Sequence, residues 1–276
     1  MLLMFYYYFY TPINHRFTML ILIAESKTMT PCRDAVEKDE YITHCPALEC
    51  GADRVMESLR DISAENLVKD LKLSLPMVRK LQQMVYEFPN KALGSRAIEA
   101  FTGVVFKAFG YSSLDNECRR STEERVRIIS SLYGWLRPED IIKPYRFDFT
   151  TRLAPEGKSF NVFWREAVTE CLMKEISTTG CRHLLDILPA DAARCIDWKK
   201  IEPLVEVWKM EFREVLPGGL MKTPNAGKLK TLRGNLLRHI ISGGITTPRG
   251  LSGLATDLYI HADTDSTTHT ITFHTA

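Results

Sequence analysis

The sequence predicts an α+β fold: a single compact domain in which a mixed sheet is surrounded by helices. Three observations carry this. Met19 to Ala24 is an unbroken apolar run, the mark of a central strand covered on both faces. Helical and strand-like periodicities succeed one another without regular alternation, which argues against a doubly wound sheet. The 276 residues, 45% hydrophobic and 25% charged, are enough for one large core.

Residues 1–18 stand outside this plan. Their opening MLLMFYYYFY is apolar but too short to span a bilayer, and it lacks the basic start and small-residue cleavage site of a secretory signal. They are expected to be an extension from an upstream start codon, with 19–276 as the domain. No membrane segment, repeat or low-complexity linker is evident.

After the first strand, Glu25-Ser26-Lys27-Thr28 lies where open sheets tend to place ligand groups. Lys27 there suits an anion or, if desolvated, a nucleophilic role; a surface turn is the plain alternative. Three helices come next. The first starts at Asp53 with Val55, Met56 and Leu59; the second is capped by Ser63-Ala64-Glu65 and carries Leu67 and Leu71. The third is opened by Pro76 and carries Val78, Leu81 and Val85. A helix from Ser95 buries Ile98, Phe101, Val105 and Ala108. Gly103 inside it implies a close packing partner.

Val126, Ile129, Leu132 and Tyr133 recur at helical intervals behind a Ser121/Glu124 capping box, and Gly134 ends that helix. Pro138 and Pro144 interrupt the chain. Tyr145 to Leu153 then alternates as a strand, with Tyr145, Phe147, Phe149 and Leu153 on one face and Arg146, Asp148, Thr150 and Arg152 on the other. Arginines spaced between aromatics suit phosphate or carboxylate. Arg137, Arg146 and Arg152 are therefore expected to converge with Lys27 on one anion-binding cleft, although Asp140 and Asp148 are near enough to compete for them.

Ser159 to Ser177 reads as a long helix and His183 to Leu188 as a strand, with Asp191 as the N-cap of the next helix. Val205 to Val215 alternates with a phase change near Trp208 that implies a bulge. A helix from about Leu232 turns Arg233 and Arg238 away from the core and ends at Gly243-Gly244. Asp257 to Ala262 and Thr270 to His274 read as a closing hairpin.

A net charge of +2 places any nucleic-acid site in a local patch. Seven cysteines without a CxxC read as free thiols of a reducing cytoplasm, Cys45 and Cys50 beside His44 included. His261, His269 and His274 suit a solvated edge strand better than a metal box. No metal or cofactor is expected, and there is no P-loop, G-x-G-x-x-G or nucleophile elbow.

Several of these stretches resemble the YaaA peroxide-stress family. Ser131-Leu132-Tyr133-Gly134-Trp135-Leu136-Arg137-Pro138-Glu139-Asp140, Pro144-Tyr145-Arg146 and Arg152-Leu153 resemble its central signature. Met19 to Thr28 resembles its opening strand and Lys-Thr loop, Ala97 to Gly103 its AIxAFxG helix, Phe163-Trp164 its FW pair, and Arg233-Gly234 with Arg238 its ARGxMxR helix. The sequence departs from the pattern at Val104 and Phe106, where a polar residue and a tyrosine are usual. It departs again at Ile187 to Ala193, where an Asn-Leu-Ala-Ser-x-Glu-Tyr turn is usual.

The resemblance implies a YaaA-like fold with a basic cleft and a helix-hairpin-helix-like element at Leu73-Ser74-Leu75, though that turn has no glycine. Lys69, Lys72, Arg79 and Lys80 would then face DNA phosphates, joined by Lys27, Arg137, Arg146, Arg152, Arg233 and Arg238. It further implies a cytoplasmic protein of the hydrogen-peroxide response. Such a protein limits iron-mediated damage to DNA and protein by sequence-independent binding of double-stranded DNA. Neither a membrane nor an obligate protein partner is expected. Two alternatives stand beside this reading. One is a glycosylase- or lyase-type repair enzyme with Lys27 as nucleophile, assisted by Tyr133 or Tyr145. The other is an enzyme acting on a phosphorylated small molecule.

Overall fold

The computed structural model describes residues 19–30, 44–72, 74–90 and 93–275. The expected extension over 1–18 and Leu73 of the expected turn lie outside them.

The chain enters as β1 (Met19–Ala24), whose six residues are all buried. Helices α1 (Glu49–Arg60), α2 (Ala64–Leu71) and α3 (Leu75–Glu87) come after it. The Ser63 hydroxyl accepts from the Asn66 amide at 3.3 Å to cap α2, and Pro76 occupies the first turn of α3, where its missing N–H costs nothing. A short strand, β2 (Ser95–Arg96), then leads into α4 (Ala97–Ala100) and α5 (Val104–Phe109).

The single helix expected from Ser95 is thus two short ones. The break is held by the loop after β1. Thr102 N donates to Thr28 O at 2.8 Å and Thr30 N to Ala100 O at 2.9 Å. Gly103 sits here because a Cβ on it would lie 2.0 Å from Ser26 Oγ.

A second correction concerns 126–133. Helix α6 (Asn116–Arg125) begins earlier, at its Asp115 cap, and gives way to β3 (Val126–Ser130), a turn and β4 (Gly134–Leu136). All of β3 is buried, and its apolar run, interrupted by Arg127 and Ser130, is left with a helical spacing. Gly134 serves the turn, not a helix end, with φ +68° and the Trp164 ring against it. Strand β5 (Ile141–Ile142) pairs with β2 in a separate two-stranded sheet.

The expected strand over Tyr145–Leu153 is also corrected. Its alternation of burial is real, with Tyr145, Phe147, Phe149 and Leu153 buried and Arg146, Thr150 and Arg152 exposed. The segment joins no sheet, however, because its carbonyls serve a helix end. Phe149 O accepts from Asn161 N at 2.9 Å and Thr151 O from Phe160 N at 3.2 Å, at the start of α7 (Phe160–Thr179).

Beyond it lie β6 (His183–Asp186), α8 (Ala190–Ala193), α9 (Trp198–Ile201), β7 (Glu206–Val215), β8 (Met221–Lys222), α10 (Ala226–Ser242), β9 (Ile260–Asp265) and β10 (Thr270–Thr275). Pro189, not Asp191, holds the N-cap place of α8. Trp208 lies in unbroken register. Both it and Val207 are buried because this end of β7 is covered on both faces, and the irregularity falls between β9 and β10, at Thr272/Phe273. Helix α10 starts earlier than expected, at an Asn225 cap that accepts from Lys228 N at 2.9 Å.

The molecule is a single mixed α/β domain. Its main sheet runs β4-β3-β1-β6-β7-β10-β9, with β8 on β7. The strands β3, β1, β6, β7 and β10 are mutually parallel, and antiparallel strands flank them. The sheet is mixed and helix-covered, as expected. Its parallel centre places Glu25, Ser130 and Asp186 at the carboxyl ends of three neighbouring strands.

Candidate functional site

At the carboxyl end of β1, the backbone still runs in sheet register, with Glu25 N donating to Ile129 O at 2.9 Å. The Glu25 carboxylate accepts from Ser131 N at 2.8 Å, from the Ser131 hydroxyl and from the Tyr145 hydroxyl. Ser130 Oγ lies 2.6 Å from the same Tyr145 oxygen and accepts from Tyr133 N at 2.9 Å. Burial pushes the Glu25 carboxyl up to about 7, against the opposing pull of the Ser131 and Tyr145 hydrogen bonds. Burial and the Glu25 charge together raise Tyr145 well above the usual phenol range. Tyr133 is buried beside it, its hydroxyl accepting from Lys143 N at 3.0 Å.

The other face of Tyr145 borders a cleft of about 530 Å³. Its cations are Lys27, from the loop after β1, Lys80, from α3, and Arg146. Met77, Leu81, Met84 and Pro144 make the lining largely apolar, and Glu87 contributes a carboxylate. Lys27 Nζ pairs with Asp148, and Arg146 donates to the Lys27 carbonyl at 3.5 Å. Lys143 also borders the cleft. Its ammonium is buried, donates to the carbonyls of Phe88 and Asn90 and sits 5.2 Å from the Phe88 ring centre. It therefore fastens the end of α3 to the chain before Pro144.

The structure brings Lys27, Arg146 and Lys80 together and places the other predicted residues elsewhere. Arg137 pairs with Glu175 at 3.3 Å, a carboxylate it shares with buried Arg127. Arg152 borders a different depression, with Arg165 and Arg194. Arg146 and Arg152 are both exposed, but a turn closed by Thr151 N donating to Asp148 O at 3.0 Å redirects the chain between them, so alternation in sequence does not make a shared site. Arg238 donates to Phe109 O at 2.8 Å and Gly110 O at 3.1 Å and so braces α5 against α10. Arg233 is largely buried near Asp186 and Asp191; burial lowers its guanidinium, and those carboxylates oppose the shift. Burial likewise raises Asp186 to about 6. Lys69, Lys72 and Arg79 are exposed on α2 and α3, outside the cleft.

Sequence reasoning missed Glu25, Arg165 and Arg194. Glu25 had a signal, a carboxylate immediately after six buried strand residues. The two arginines had none, because helix spacing marks them only as exposed.

The sequence profile described as peroxide stress protein YaaA matches residues 19–264. A UPF0246 protein of Parabacteroides distasonis is 28% identical over 239 residues, covering 84% of this chain and 90% of its own. Relatives described in the same words occur in Burkholderia cenocepacia, at 29% over 236 residues (80% and 87%), and in Rhizorhabdus wittichii, at 27% over 253 residues (88% and 94%). With the match running from β1 into β9, the chain belongs to the YaaA peroxide stress protein family.

Proposed function

We propose that this protein serves the hydrogen-peroxide response by holding DNA, whatever its sequence, across the cation-rimmed face around the cleft. The observation that carries the reading is the set of exposed Lys69, Lys72, Arg79 and Lys80 on and just after α2 and on α3, of which Lys80 lines the cleft with Arg146. Among the described residues none of these five is in an ion pair, so their charge is free for phosphates. A cleft of about 530 Å³ has the size of a small-ligand site. A duplex would lie over its mouth, with a single nucleotide unit reaching inside. On this reading, covering DNA in the cytoplasm is how iron-mediated oxidative damage is limited. Helices α2 and α3 would do the work expected of a hairpin, through side-chain cations in place of glycine amides.

The test is fluorescence anisotropy with duplexes of unrelated sequence over a range of salt. Affinity should be alike for all of them and fall linearly on logarithmic axes, by about 0.9 per phosphate contacted. Affinity indifferent to salt, or confined to one sequence, sinks the reading.

One observation favours a second reading, an enzyme acting on a phosphorylated small molecule. Tyr145 lines a cleft of small-ligand size and is hydrogen-bonded to Glu25, a carboxyl near 7. A thermal-shift screen with nucleotides would favour it if they stabilise the protein and duplex does not. The lyase alternative is weaker, because Lys27 is exposed and paired with Asp148, whereas an amine nucleophile is activated by desolvation or a cationic neighbour. Borohydride trapping on abasic-site duplex decides it.

A further inference from the structure

Away from the cleft, a depression of about 320 Å³ is bordered by guanidinium groups from three separate segments. Arg152 comes after the aromatic run, Arg165 lies on α7 and Arg194 comes just after α8. Thr150, Ser159 and Asn161 complete the polar lining, which contains no carboxylate. Among the described residues, Arg152 and Arg194 are in no ion pair, and Arg165 has only a loose one, 3.6 Å to Asp197. Asn161 is buried, and its Oδ1 already accepts from the Ser159 hydroxyl at 2.7 Å. The amide nitrogen is what that side chain has left to offer.

Three of the groups around this hollow carry positive charge and none carries a negative one. Like charges gathered on one concavity repel unless an anion joins them, and planar guanidinium forks match phosphate oxygens. We infer that the depression is a phosphate-binding site, separate from the cleft. The phosphate has two sources with the same chemistry, the backbone of nucleic acid and a free phosphomonoester. The first rests on the DNA-binding reading. The segment that places Arg146 at the cleft places Arg152 here, so a strand held at one position extends within roughly 20 Å to the other.

The experiment titrates full-length protein with inorganic phosphate, a nucleoside monophosphate and a DNA duplex. The variants are Arg152→Ala, Arg194→Ala and Asp197→Asn, with Lys80→Ala as a cleft control. At least one phosphate species should bind about tenfold more weakly to each arginine variant. Asp197→Asn, which frees Arg165, should tighten the same species. A response of the duplex, with a salt slope shallower by about one per arginine removed, identifies backbone phosphate as the source. A response of the small phosphates alone, untouched by Lys80→Ala, identifies a phosphomonoester. If an alanine variant lowers the melting temperature, the matching Arg→Lys variant replaces it; charge without the fork should bind at intermediate strength. If no phosphate species distinguishes the arginine variants from wild type, the site does not exist. The cleft reading survives that result so long as Lys80→Ala still weakens duplex binding.

Discussion

The hydroxyl of Tyr145 donates to the carboxylate of Glu25, joining the wall of the cleft to the end of the central strand. The proton balance of this pair is written into the stability of the fold. Burial holds Glu25 near 7 rather than 4.5, and raises Asp140 to about 7 and Asp186 to about 6. Each group binds its proton more tightly when folded than when unfolded. Their stabilisation is full below the unfolded value and is lost as pH rises through the folded one. Stability should therefore decline between about pH 4.5 and 7, with Glu25 supplying on the order of 3 kcal/mol of the change. Melting curves across that range would check it. Glu25→Gln should flatten the profile, and an unaltered slope would mean that Glu25 is ionised at all these pH values.

Glu175 separates two arginines that look alike in sequence. Arg127 is buried against it, whereas the side chain of Arg137 is 59% exposed. Arg127→Ala should lower stability by about 3–5 kcal/mol, since it leaves a buried carboxylate with its main partner gone. Arg137→Ala should cost less than about 1 kcal/mol. Urea unfolding of both variants measures the contrast, and equal costs would mean that Arg137 shares the burden.

Gly103 faces Ser26 so closely that a Cβ would lie 2.0 Å from Oγ and 2.9 Å from the Ser26 Cβ. Gly103→Ala should destabilise by about 1–3 kcal/mol and displace the loop that carries Lys27. The double variant with Ser26→Gly should recover most of the loss. Failure to recover would place the strain elsewhere.

Arg146 is exposed and its one described contact is the Lys27 carbonyl. Arg146→Ala should leave the melting temperature unchanged while weakening duplex binding about tenfold. A fall in stability with binding intact would make Arg146 a structural residue.

The fold was legible where one signal dominated. The central strand at Met19–Ala24 carried an unbroken apolar run, and the three helices before residue 88 carried a clear helical period. Val126–Ser130 was illegible as a strand because the buried Arg127 and Ser130 interrupt its apolar run and leave a helical spacing. The 145–153 segment alternated without pairing, for alternation records burial and not hydrogen bonds. Lys27 and Arg146 were expected together and do share a cleft, but the place of Lys80 beside them was not legible. Lys80 is brought there by a helix distant in sequence from both, and Arg152, beyond the turn at Asp148–Thr151, is carried to a different hollow.

The neighbours of β1 have one further consequence, for biosynthesis. Met19–Ala24 pairs with Val126–Ile129 and with His183–Asp186, so its edges wait more than 100 residues of synthesis for the first partner and more than 160 for the second. At a ribosomal rate of about 5–20 residues per second, six apolar residues stay uncovered for roughly 5–30 seconds on each nascent chain. Nothing made earlier can close the sheet around them. The strand that anchors the finished protein is thus an aggregation hazard of the newborn chain until residue 186 has emerged.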